Sequence, residues 1–247
     1  MALKKCFFLL LLAFCSLALR CASSAKLESA TVNQEDIFQQ YSIRRTADSL
    51  DIRALFRLHD RNGDTLALNA PSHVSFNDKE MPRRDGFMIG ATYVADDKTY
   101  QATNSFTFTN TKGKTYTNSI SLEPVKFATS SLQLKKTAAN AIPVSRIVKD
   151  EDTRVVLTIR EQSQKDFSSE VHGGRGVVGF RSSVYFDEAK KAIVIEPDFL
   201  KAIAVGNVTI SLTIRKENYT LEQATARGGE IIVEYNANPM SAKLSDK

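Results

Sequence analysis

Three histidines, His59, His73 and His172, are the first residues to weigh for chemistry, because imidazole serves both as metal ligand and as general base near neutral pH. None stands four residues from another, so no helix face presents a pair to zinc, and no cysteine follows residue 21 to complete such a set. Nucleophilic catalysis would need a serine or threonine against one of the three, and the strained Gly-x-Ser-x-Gly turn is absent. Asp60, Asn62 and Asp64 match the first half of a calcium loop without its downstream bidentate glutamate, so they are read as a hairpin turn. Glu161 and Asp166 are the paired carboxylates available for general acid and base work. Two glycine-arginine loops, Gly173-Gly174-Arg175-Gly176 and Arg227-Gly228-Gly229, offer backbone amides beside a cation, which makes Arg175 and Arg227 anion-loop candidates. Neither is a P-loop or opens a predicted helix. A simple strand count puts the two loops at opposite ends of the fold; one more strand within 177–186 would bring them together. The chain has no Trp, so sugar stacking would fall to Tyr93, Tyr116 or Tyr185, each read first as a core or strand-surface residue. These residues predict no catalytic set, no metal site and no cofactor.

The elements that must position them are strands. Leu50, Ile52, Ala54, Phe56 and Leu58 alternate with Asp51, Arg53, Leu55, Arg57 and His59, the period of a strand with one buried face. The chain turns at Asp60–Asp64 and returns through Leu66 and Leu68. A two-residue Asn62-Gly63 turn would set His59 against Leu66. A three-residue loop, Arg61-Asn62-Gly63, sets Leu58 against Leu66 and Phe56 against Leu68, with Gly63 left-handed and His59 solvated on the outer face. It also sets Asp60 against Asp64. The same reasoning makes Thr111-Lys112-Gly113 a three-residue loop that places Phe108 opposite Tyr116.

Val74 and Phe76 predict a short strand, 77–85 an exposed charged loop, and Phe87 to Tyr93 another strand, with Gly90 a bulge or close approach. Ala30 and Val32 suit a first strand, and 34–41 a helical turn or the lead into a strand at Tyr41 and Ile43. Residues 128–145, rich in Ser, Thr, Ala and Lys, predict a linker in which Leu132 and Leu134 could form a short pairing strand. Beyond it Val155 to Ile159, 177–186, Ile193 to Ile195, Val208 to Ile214 and Ile231 to Tyr235 predict strands. Asp198 would cap a short helical turn at 199–203, and 241–247 reads as a polar tail.

The N-terminus predicts export. Lys4 and Lys5 precede an apolar run from Cys6 to Leu19, and Ser23-Ser24-Ala25 supplies small residues for cleavage between Ala25 and Lys26. The run is short for a bilayer span, so the mature form is expected to carry no transmembrane span. A lipid anchor at Cys21 is the competing end of the leader, and Arg20 before it fits poorly. Cleavage removes all three cysteines and takes the net charge from +5 to +2. A near-neutral chain argues against nucleic acid as partner. An exported chain without disulfides favours a bacterial periplasmic or secreted protein, in which case the Asn207-Val208-Thr209 and Asn218-Tyr219-Thr220 triplets carry no glycan.

Short strands with turns roughly every 8 to 12 residues, and no long helical period, predict an all-β chain. The pieces Val74-Ser75-Phe76-Asn77, Phe106-Thr107-Phe108-Thr109 with Gly113 to Tyr116, Ile193 to Pro197, Leu200 and Gly206 before a strand resemble tandem immunoglobulin-like or fibronectin type III-like domains of exported bacterial proteins. That resemblance implies two antiparallel β-sandwich domains, 26–127 and 146–240, behind a signal peptide over 1–25. It transfers no catalytic residue. The function expected is a non-catalytic binding or structural protein of the periplasm or cell surface, docking another envelope or surface protein through loops or a sheet edge. The alternatives are an envelope-acting enzyme or inhibitor, and a carbohydrate-binding module.

Overall fold

Alternation of apolar and polar residues builds nearly every element in the computed structural model, which describes residues 27–46, 49–86, 90–96, 101, 103–121, 123–145, 147, 152–173, 183–218 and 220–247. Ala25, Lys26, Cys21 and Arg175 lie outside the described residues. The first half holds β1 (Leu27–Glu28), two 3-10 turns (Ser29–Thr31 and Gln34–Asp36), β2 (Ile37–Arg45), β3 (Leu50–Leu58), β4 (Leu66–Ala67), β5 (His73–Phe76), β6 (Lys79–Glu80), β7 (Arg83–Gly86), β8 (Gly90–Val94), β9 (Thr103–Thr109) and β10 (Thr115–Ser121). The second holds β11 (Ser131–Lys135), β12 (Asn140–Pro143), β13 (Thr153–Glu161), β14 (Asp166–Glu170), β15 (His172–Gly173), β16 (Val184–Asp187), β17 (Ala192–Ile195), α1 (Pro197–Leu200), β18 (Gly206–Asn218), β19 (Gly229–Asn236) and β20 (Met240–Ser245). The fold is all-β.

One ten-stranded sheet runs through both halves in the order β11-β20-β18-β19-β2-β3-β8-β7, with β13 on the other edge of β18 and β14 beyond it. Two four-stranded sheets, β10-β9-β5-β6 and β12-β17-β16-β15, complete the layers. Register keeps the apolar residues of the large sheet on one face across the half boundary. Ile52 pairs Ile43, Ile43 pairs Val233, Tyr235 pairs Ile214 and Ile214 pairs Val155, all of them buried. In the first half this face meets β9 through aromatic contacts. Tyr41 stacks on Phe106 with centroids 4.6 Å apart, and Phe56 meets Phe108 at 4.5 Å. Each such ring fully withdrawn from water contributes about 1.5–3 kcal/mol. Most pairings are antiparallel; β1–β4, β11–β20, β15–β16 and β19–β2 are parallel.

The loop between β18 and β19 latches the halves together. Gln223 and Asn118 exchange hydrogen bonds (Asn118 Nδ2 to Gln223 O 2.8 Å, Gln223 N to Asn118 Oδ1 3.0 Å), and the Thr225 hydroxyl donates to the Ile37 carbonyl. β20 then continues β19 along the same edge of β18. Asn236 pairs Thr213 and Met240 pairs Ile210, a register change of one residue that marks a bulge around Asn238-Pro239.

Several expectations need correction. The 241–247 stretch is no free tail: Met240, Ala242 and Leu244 are buried in β20. The 128–145 stretch supplies β11 to the large sheet and β12 to a small one. Ala30 falls in a 3-10 turn, and the first strand is Leu27–Glu28. The charged 77–85 segment contains β6 and the start of β7, both exposed. Asp198 is not the cap of α1: Glu196 occupies that position and Pro197, with its fixed φ, opens the turn.

The first hairpin differs in register. Arg57 pairs Thr65, and Leu58 N donates to Asp64 O (2.9 Å), so Phe56 falls opposite Leu66 rather than Leu68. The shift is two residues, which leaves the apolar face intact. The left-handed residue is His59 (φ 71°), not Gly63. Gly63 is needed for a different reason: a Cβ there would overlap the Leu58 carbonyl. The second hairpin is as expected, with Tyr116 opposite Phe108 and Gly113 at φ 77°. Buried Asn110 fixes it by accepting from Lys112 N (2.9 Å) and Lys114 N (3.0 Å).

Candidate functional site

The outer face of the large sheet differs between the halves. Around β2, β3, β19 and the C-terminal end of β18 it carries its own ion pairs. Asp51 holds Arg53 (2.8 Å), Glu234 holds Arg44 (3.0 Å), and Glu217 holds Arg215. Glu230, nearly buried, accepts from Gln40 Nε2 at 2.5 Å and pairs with Arg61, which pins the 59–64 loop to the sheet.

Over the second half the same face opens into a cleft of about 620 Å³, floored by β11, β20 and β18 and walled by the β13–β14 turn. Two cross-strand rows line it. The first is Ser131, Ser241, Thr209 and Arg160, each a register partner of the next. The second is Gln133, Lys243 and Asn207. Neighbouring strands lie about 4.8 Å apart, so the first row spans on the order of 14 Å. Alternation explains the placement: Val208, Ile210, Ala242 and Leu134 point inward, which forces the polar residues between them outward.

The polar side chains of the two rows, Arg160 apart, have no hydrogen-bond or ion-pair partner among the described residues. Elsewhere cross-strand hydroxyls satisfy one another: Thr103 with Ser121 (2.8 Å), Thr107 with Thr117 (3.2 Å) and Thr158 with Ser168 (2.7 Å). Arg160 is engaged, its Nε and Nη2 donating to the two Asp166 oxygens at 2.6 and 2.8 Å.

The carboxylates at the cleft wall are spoken for. Glu161 accepts from Ala204 N (2.5 Å) and from the Ser163 hydroxyl (2.7 Å), and these bonds hold its pKa below the ordinary range. The Arg160 hydrogen bonds do the same for Asp166. Both remain ionised near neutral pH, and neither can deliver a proton as a general acid.

The remaining sequence candidates disperse. His59 sits in the loop after β3 with Nδ1 3.9 Å from Asp36, and His73 Nδ1 lies 2.9 Å from the Pro71 carbonyl. His172 belongs to β15. Asp60 accepts from Asn62 N (2.7 Å) inside its own loop, while Asp64 pairs with Leu58, so the two acids do not face each other. No group of three His, Cys, Asp or Glu suited to a metal ion occurs among the described residues. Tyr93, Tyr116 and Tyr185 are core residues, and their hydroxyls bond Leu68 N, Glu35 and Glu196. Arg227 donates to Asp36 (2.9 Å) and Ala226 N to Glu35 (3.0 Å), so this loop is occupied by the protein's own acids. Asn218 accepts from Thr220 N (3.0 Å), and Asn207 faces the cleft.

The sequence search missed the cleft because its residues come from four separated strands. The outward position of Asn207 and Thr209 was legible from alternation, but their pairing with a supposed tail was not. No helix among the described residues is long and apolar enough to cross a membrane. No protein-family model and no curated protein matches the chain. Among solved structures it is similar, at 9% identity and a TM-score of 0.21 over 92% of this chain and 67% of the other, to SGBP-B of the Bacteroides ovatus mixed-linkage glucan utilization locus, solved in complex with a mixed-linkage heptasaccharide.

Proposed function

We propose that this is an exported, non-catalytic binding protein of the bacterial periplasm or cell surface, and that it holds a carbohydrate chain on the outer face of β11, β20 and β18. One observation carries this: hydroxyl and amide side chains in register across adjacent strands, without partners among the described residues. Unpartnered donors and acceptors at sheet spacing suit a ligand that is itself a row of hydroxyls. With Tyr93, Tyr116 and Tyr185 buried, the cleft recognises its ligand through hydrogen bonds rather than stacking on them. Docking of a protein partner through a sheet edge has less support, because the exposed edge strand β7 carries Arg83, Arg84 and Asp85, charges that guard an edge against pairing. Export rests on the leader, and N-terminal sequencing of protein secreted by a bacterial host should begin at Lys26.

Titration calorimetry of the purified protein against a panel of neutral and acidic oligosaccharides tests the reading. Binding is expected for at least one class, with a loss of tenfold or more when Gln133, Asn207 and Thr209 are replaced together by alanine. No binding across the panel, or binding indifferent to that triple change, would refute it.

A further inference from the structure

Among the described residues, the cleft offers one cation without an acid against it. Arg160 is paired with Asp166, while Glu161 keeps its charge at the wall, where it accepts from Ala204 N and the Ser163 hydroxyl. Lys243 has no acidic partner among the described residues, and neither has Lys135, one step along β11 on the same face. Elsewhere on the outer face Arg44, Arg53 and Arg215 each have a carboxylate partner. Lys243 is also flanked, one strand to either side and in register, by Gln133 and Asn207. Each amide can turn its NH2 toward the lysine, so the ammonium stands between two neutral donors whose strands lie about 5 Å to either side and on the order of 10 Å from each other. Among the described residues none of the three side chains has a hydrogen-bond or ion-pair partner.

We infer that the ligand is an acidic glycan, and that the Gln133–Lys243–Asn207 row seats its carboxylate or sulfate while the Ser131–Ser241–Thr209 row takes the hydroxyls of the adjoining ring. This rests on the carbohydrate reading above. A lysine flanked by amides is a point charge with flexible donors, without the planar fork of arginine, so it accepts either anion geometry.

The test compares three probes on the full protein by calorimetry: a uronic-acid oligosaccharide, its carboxyl-reduced neutral counterpart, and a sulfated oligosaccharide of similar length. The acidic probes should bind at least tenfold more tightly than the neutral one, and which of the two prevails identifies the anion. Affinity for them should fall several-fold between 50 and 300 mM salt. Lys243→Gln should remove the preference while leaving the thermal midpoint unchanged, and Lys243→Arg should retain it. Equal binding of neutral and acidic probes, or a preference that survives Lys243→Gln, overturns the acidic assignment and leaves the carbohydrate reading standing. Failure of all three probes to bind overturns both.

Discussion

Replacing Gly63 and Gly113 separately, each by alanine and by asparagine, distinguishes two reasons for a glycine in a turn. Gly113 is left-handed at φ 77°, and an added Cβ meets no atom within 4 Å. Its cost is therefore conformational alone, about 1–2 kcal/mol for alanine. Asparagine, which tolerates the left-handed region, should recover about half of that. Gly63 is not left-handed, but a Cβ would overlap the Leu58 carbonyl. Relieving the overlap displaces the loop and its three anchoring bonds: Leu58 N to Asp64 O (2.9 Å), Gly63 N to Asp60 O (3.1 Å) and Arg57 Nη1 to Gly63 O (3.0 Å). At about 1 kcal/mol each, more for the charged donor, the loss is about 3–4 kcal/mol. Asparagine brings the same Cβ and should rescue nothing. In thermal unfolding followed by circular dichroism, Gly63→Ala should lower stability about twice as much as Gly113→Ala. In a chain of this size that is about 6–16 °C in midpoint against about 2–8 °C. If asparagine restores Gly63 as it does Gly113, the steric account is wrong and both turns use a left-handed glycine.

Leu244→Ala, at a fully buried position of β20, should cost about 2–4 kcal/mol in the same assay, whereas a free tail would lose nothing. Glu230→Ala strips the partner from Gln40 and from half-exposed Arg61 and should destabilise by about 1–2 kcal/mol; Glu230→Gln, which keeps the hydrogen bond to Gln40, should cost less, and equal losses would contradict the pairing. The pKa values of Glu161, Asp166, Asp187 and Asp198 are held down in the fold by hydrogen bonds from Ala204 N, Arg160, Lys190 and Lys201. Their contribution is present above the ordinary carboxylate range and is lost as pH falls through and below it. Denaturation midpoints should thus decline on acidification from pH 6; a flat profile to pH 3 would show these exposed pairs to be inert.

The sequence made the strands legible wherever one face is wet. Leu50 to Leu58, Val208 to Ile214 and the Phe108–Tyr116 hairpin follow from period two and one turn glycine. Alternation also set Thr209 on the face opposite Val208 and Ile210, while the three tyrosines, open between core and strand surface from sequence, are buried. It fell short where the pattern is brief. Met240-Ser241-Ala242-Lys243-Leu244 alternates, but a short stretch at a polar terminus resembles a tail until a neighbour is known.

What tertiary structure alone decided is which strands lie side by side. Local pattern fixes the face of a residue, since that depends only on its own backbone. Pairing depends on hydrogen bonds to segments far away in sequence: β20 slots between β11 and β18, and β19 runs parallel to β2 across the whole length of the chain. Those two placements join the halves through one sheet and bring Gln133, Lys243 and Asn207, separated by up to 110 residues, into a single row. No periodicity carries that information, because a strand edge presents the same amide and carbonyl groups whatever its sequence.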